Sequence, residues 1–159
     1  MFTLFLMLGC ATGDTGNDSS TTCDETNEAC APGTCGGEGG EMLPGADCLA
    51  CHDGSGGGGG EEDEEAPKFT AAGTAFADMD GTGPLSGATV RITDAGGTVV
   101  TLTTNSVGNF YTNEALTFPI DAEVEANGST STMASSVDVG GCNSCHACAG
   151  EAGGKLTGP

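Results

Sequence analysis

Cys-x-x-Cys-His occurs twice in this chain, as CLACH at residues 48–52 and CNSCH at residues 142–146, and the two copies use both of its histidines. Each places two thiols and an imidazole within five residues, and about ninety residues separate the copies. Any fold for the chain has to accommodate both donor sets.

The rest of the composition limits what can lie between them. Gly is the commonest residue at 29, aromatic residues make up 4%, and Trp is absent, so no large core is available. A length of 159 residues allows one compact domain with appendages. Three basic residues stand against 23 acidic ones, for a formal charge of -20. Nucleic acid is excluded as a partner, because phosphate binding needs a basic footprint. The acidic surface favours basic partners and cations, or serves only as a solvated face.

Composition also divides the chain. Residues 10–41 are polar, acidic and rich in Gly, Ser and Thr, and bury too little apolar surface to offset their ordering entropy. They are expected to form a disordered tether. Residues 42–54 carry the first cysteine motif, and 55–67 join a glycine run to the acidic block EEDEE at 61–65. That segment reads as a flexible linker. From 68 to 135 the chain changes to short runs rich in Val, Ile, Thr and Phe: FTAAGTAF, ATVRITD, TVVTLTT, NFYT and IDAEVEA. Ala88, Val90 and Ile92 alternate with Thr89, Arg91 and Thr93, and Ile120, Ala122, Val124 and Ala126 alternate with Asp121, Glu123 and Glu125. Turn signals fall at 80–84, 95–97, 106–109 and 127–129. No stretch has the period of a long amphipathic helix. The expected fold is mainly β, a small antiparallel sandwich, with residues 136–159 carrying the second motif.

The series GTAFADMDGTGPLSGATVRITDAGGTVVTLTTNSVGNFYT resembles the carboxypeptidase regulatory-like domains, prealbumin-like sandwiches related to collagen-adhesin B repeats. Gly73, the stretch Pro84–Ala88 and the stretch Thr104–Tyr111 carry the resemblance, which covers about residues 68–132. It implies binding or spacing rather than catalysis.

At the other end, residues 1–9 are apolar and Met7-Leu8-Gly9-Cys10 resembles the lipobox of bacterial lipoprotein signals, although no Lys or Arg precedes it. The resemblance implies cleavage before Cys10, lipidation of that cysteine and a membrane anchor in the cell envelope. Ala11 after it implies the outer membrane, facing the periplasm or the cell surface. Nine cysteines then divide into Cys10, two Cys-x-x-Cys pairs, and Cys23, Cys30, Cys35 and Cys148, which can pair in three ways.

Cys-x-x-Cys-His is the attachment motif of c-type haem: two thiols add to the porphyrin vinyl groups and the histidine binds iron from the same side. Cys48, Cys51 and His52 would hold one haem, and Cys142, Cys145 and His146 a second. Two zinc knuckles would leave both histidines unexplained, a thioredoxin-like pair lacks its alternating strands and helices, and plain disulfides remain open. The segment EMLPGADCLACHDG resembles the Met-x-Pro-Gly-x-x-Cys-x-x-Cys-His stretch of small multihaem c-type cytochromes. By that resemblance Met42, and in the second motif Met133, become candidates for the remaining iron position, with gap-filling packing as the alternative and Met79 as a more distant candidate. The apolar surroundings of both motifs are sparse, so exposed haem edges are expected. Exposed edges suit electron exchange with redox proteins, basic ones given the charge, and not an enzyme's closed pocket. An adhesin-like surface module with disulfide or zinc-bound cysteines is the alternative.

Overall fold

Two antiparallel sheets pack as a small β-sandwich in the computed structural model, which describes residues 42–54, 67–147 and 150–159. The lipobox, Cys10, the tether of 10–41, the acidic block at 61–65 and Cys23, Cys30, Cys35 and Cys148 lie outside the described residues.

The four-stranded sheet has the order β3-β2-β5-β6, with β2 at Thr89–Asp94, β3 at Val99–Thr103, β5 at Ile120–Ala126 and β6 at Ser129–Thr132. The alternation in β2 and β5 sets its register. Val90 lies opposite Val124 and Ile92 opposite Ala122, which puts the apolar residues of both strands on one face. On the other face Arg91 reaches Glu123 at 3.1 Å and Glu125 at 2.8 Å. The β5–β6 turn uses Asn127 and Gly128 at φ of 52° and 76°, the left-handed pair that a two-residue hairpin demands. Strand β6 is all Ser and Thr and carries no apolar signal; it forms because the turn delivers it to the free edge of β5.

The second sheet pairs β1 at Ala71–Thr74 with β4 at Asn109–Thr112. Ala71, Ala75 and Phe110 from this side meet Ala88, Val90, Ile92, Ile120 and Val124 to form the core. Ile92 and Val90 are among the largest fully buried side chains, each worth about 1.5–3 kcal/mol for leaving water. Every residue of β1 is buried, because the strand is covered on its second edge as well. Ala72 donates to Gly140 O at 3.0 Å and bridges Gly141 in parallel. A side chain at Gly140 would sit 2.0 Å from Thr70 O, so only glycine lets the backbone approach β1 this closely.

Candidate functional site

Both cysteine motifs fold into one helical turn. Helix α1 spans Leu49–His52 and α2 spans Cys142–Cys145. In each the histidine N–H donates to the carbonyl of the first cysteine at 2.9 Å, for His52 to Cys48 and for His146 to Cys142. A spacing of three places the two cysteines of each turn on one side of it. Asp47 accepts from Leu49 N at 3.2 Å and Ser144 Oγ donates to Gly141 O at 2.5 Å, which fixes the entry to each turn.

The fold brings the two turns together. Burial pushes the Cys142 thiol up to about 12, and the neighbouring Cys48 and Asp47 add to the shift. A side chain at Gly141 would meet Asp47 Oδ1 at 2.9 Å and Leu49 at 3.7 Å. Cys48 and Cys142 carry thiols, whereas Cys51 and Cys145 are each engaged in a disulfide.

Thr74, at the end of β1, ties both motifs to the sandwich. Its N–H donates to Asn143 Oδ1 at 2.7 Å, inside the second motif. Its Oγ1 accepts from Gly45 N at 2.9 Å, just before the first, and donates to Asn109 Oδ1 at 2.6 Å. Asn109 Nδ2 in turn donates to Met42 O at 2.8 Å. All three side chains are buried, so each bond replaces one that water would otherwise make. Periodicity did not find Thr74, Asn109 or Asn143. The only signal was a polar amide inside a motif whose intervening positions tolerate any residue.

The histidines differ in setting and agree in one respect. His52 is buried, and its Nδ1 lies 2.8 Å from Pro67 O. A carbonyl only accepts, so Nδ1 holds a proton, and the tautomer that this fixes has its lone pair on Nε2. That atom is buried with no hydrogen-bond partner among the described residues. One face of the ring stacks on Phe69, centroids 4.4 Å apart, and Phe69 stacks on Tyr111 at 4.5 Å. His146 is half-buried; burial holds its imidazole below the usual value, partly offset by a hydrogen bond to the Gly154 backbone. Both rings therefore spend one nitrogen on the backbone, the arrangement that orients metal-binding imidazoles.

Met42 and Met133 are not drawn to the histidines in the same way. Met42 is exposed and tied through its carbonyl to Asn109. Met133 is half-buried just beyond β6, its N–H on Ala122 O at 2.9 Å. Met79 is exposed and its side chain lies against Gly154, the residue that holds His146. Compared with descriptions of known families, with curated proteins and with solved structures, the chain matches none.

Nε2 of His52 is buried with no hydrogen-bond partner among the described residues, the kind of lone pair that a metal ion would satisfy. The sulfurs set a condition. Thioether attachment consumes thiols, so it requires Cys51 and Cys145 reduced and the Cys142 sulfur uncovered.

Proposed function

We propose that this chain is a membrane-anchored dihaem c-type cytochrome that relays electrons outside the cytoplasm. The observation that carries the proposal is His52, buried, its Nδ1 committed to Pro67 O and its Nε2 without a hydrogen-bond partner among the described residues. An imidazole with no metal to bind gains nothing from that arrangement, since a buried unpaired nitrogen costs about 1–3 kcal/mol.

In this reading Cys48 and Cys51 would hold the first haem and Cys142 and Cys145 the second, once Cys51 and Cys145 are reduced, and His52 and His146 would be the iron ligands. The group would supply a reversible one-electron carrier, ferrous to ferric. The chain's own residues orient it: Pro67 O fixes the tautomer of His52, Phe69 fixes the plane of its ring, and Gly154 fixes His146. Met42 and Met133 are proposed as the residues that would complete the iron's ligands, with Met79 close to the second motif through Gly154. Both histidines are spent as ligands, so no imidazole remains for acid–base work, and the role is electron transfer rather than turnover. Cys10 supplies the anchor in the cell envelope, and the charge of -20 selects basic redox partners.

A second reading has its own observation. The disulfides at Cys51 and Cys145 and the enclosed thiol of Cys142 suit a structural module whose cysteines clamp the sandwich. One experiment separates the two. The full chain, produced with cytochrome c assembly, should show a haem spectrum, stain for haem on a denaturing gel and carry two haem additions by mass spectrometry. Replacing Cys48 and Cys51 with Ala should remove one addition. A colourless protein with its disulfides intact would establish the clamp instead.

A further inference from the structure

The four cysteines of the two motifs are in two different states. Cys51 and Cys145 are each engaged in a disulfide, whereas Cys48 and Cys142, the first cysteine of each motif, carry thiols. About ninety residues separate these two in the chain, yet they belong to turns that meet in the fold. Gly141, next to Cys142, is the point of meeting. A side chain there would lie 2.9 Å from Asp47 Oδ1 and 3.7 Å from Leu49 Cδ1, the residues on either side of Cys48. Thr74 holds the same two stretches, taking Gly45 N on its Oγ1 at 2.9 Å and giving its N–H to Asn143 Oδ1 at 2.7 Å.

The two sulfurs are placed alike. Each stands at the entry of its turn and is directed back at the carbonyl two residues earlier, Cys48 Sγ to Ala46 O at 3.7 Å and Cys142 Sγ to Gly140 O at 3.9 Å. Cys142 also packs against the core, and β1 closes one side of it, since a methyl group at Gly73 would come within 2.7 Å of its Cβ. Burial holds the proton on the Cys142 thiol, and charge at Cys48 holds it there further, so the two sulfurs sense each other. Surroundings that disfavour a thiolate favour a neutral sulfur, and a disulfide is as neutral as a pair of thiols.

We propose that Cys48 and Cys142 are a redox pair that closes into a disulfide between the two motifs and clasps α1 to α2. The inference goes beyond the haem reading and does not rest on it. It concerns the chain before any haem is attached, and the closed bond withholds one sulfur of each motif from attachment. The oxidant is a small-molecule disulfide. One cysteine, as thiolate, attacks the oxidant and releases one small thiol; the other attacks the resulting mixed disulfide and releases the second. Two S–H bonds and one S–S bond are exchanged for one S–S bond and two S–H bonds. The protein pair loses two electrons, and the small disulfide gains them. Because the bond spans most of the described fold, it should restrict the unfolded chain strongly.

The test uses the full chain, purified without haem, and glutathione disulfide as oxidant. After incubation the protein is alkylated with iodoacetamide in denaturant and digested without reduction, and fragmentation mass spectra assign each cysteine. A peptide pair joined through Cys48 and Cys142 is expected, with neither site alkylated. The oxidised parent should melt about 10 °C above Cys48→Ser and Cys142→Ser treated in the same way. The peptide mapping needs only the parent protein, so it stands even where a variant fails to fold. Alkylation of both Cys48 and Cys142 after oxidation overturns the pair, and so does a glutathione adduct left on either, because the sulfurs then do not meet. Bonds from Cys48 to Cys51, or from Cys142 to Cys145 or Cys148, overturn it in favour of pairing within each motif. An equal yield of the joined peptide from chain oxidised in urea would show that the fold does not place the pair. A joined pair that melts like the variants overturns the clasp.

Discussion

Gly73→Ala tests the joint between the sandwich and the second motif. Gly73 lies mid-strand in β1, and a methyl group there would come within 2.7 Å of Cys142 Cβ, 2.9 Å of Phe110 Cζ and 3.0 Å of Asn143 Oδ1. None of these neighbours yields easily. Cys142 Cβ is fixed to the backbone of α2, Phe110 is 2% exposed in the core, and Asn143 is held by its bond to Thr74 N. Forcing a methyl group into such a site costs about 1–3 kcal/mol. If Asn143 moves, the buried Thr74 N–H loses its acceptor, which costs about 1–3 kcal/mol more. Reduced freedom of the unfolded chain returns only about 0.4–1 kcal/mol. With both losses the net expectation is about 1–5.5 kcal/mol, with the melting temperature falling by about 4–8 °C per kcal/mol for a domain of this size. Urea unfolding followed by far-ultraviolet circular dichroism measures it directly. Combining Gly73→Ala with Asn143→Ala should cost less than the sum of the two, because both lose the same bond to Thr74. A Gly73→Ala protein as stable as the parent, or more stable, would show that α2 does not rest on β1, and the account of the joint would fail.

Other outcomes follow from single contacts. Asn143→Ala alone should destabilise by about 1–3 kcal/mol, measured by urea unfolding, because Thr74 N is left buried and unpaired. Ile92→Ala, at a fully buried position, should cost about 2–5 kcal/mol in the same assay. Backbone N–H groups of Thr117 and Thr98 hold the Asp94 carboxyl below its ordinary value of 3.8, so its stabilising effect is complete above that value and is lost as pH falls through the lower, folded one. Thermal melts of Asp94→Asn should accordingly show a shallower acid limb than the parent, and identical limbs would remove Asp94 from the account.

The strands were legible because their chemistry is local. Val90, Ile92, Ile120 and Val124 recur at a period of two, and each is buried where that period puts it. All five expected runs contain a strand, β1 to β5. Strand β6 left no trace in composition, since STST owes its pairing to the turn at Asn127 and Gly128 and to the free edge of β5. The motifs were legible as donor sets but not as neighbours. Their meeting depends on Gly140 approaching Thr70 and on Thr74 bonding to Gly45 and Asn143, contacts between residues far apart in the chain, 29 and 69 positions for the two Thr74 bonds, that no local pattern encodes. The ring row was hidden for the same reason: His52, Phe69 and Tyr111 stack only after β1 and β4 have paired.

The C-terminal segment returns to the first motif. Phe76 N donates to Leu156 O at 2.8 Å, and the Lys155 ammonium sits 5.7 Å from the centre of the Phe76 ring, in the space a side chain at Gly45 would share. Gly45 near the first motif and Lys155 in the C-terminal segment are thus side by side, which brings the order of the chain close to being interchangeable with its arrangement in space. Joining residue 159 to residue 42 by a glycine linker and opening the chain between Asn127 and Gly128 would reorder every element without asking any strand to change neighbours. In such a permutant the two cysteine motifs become consecutive in the sequence, and contacts that now close across a whole domain close across a loop.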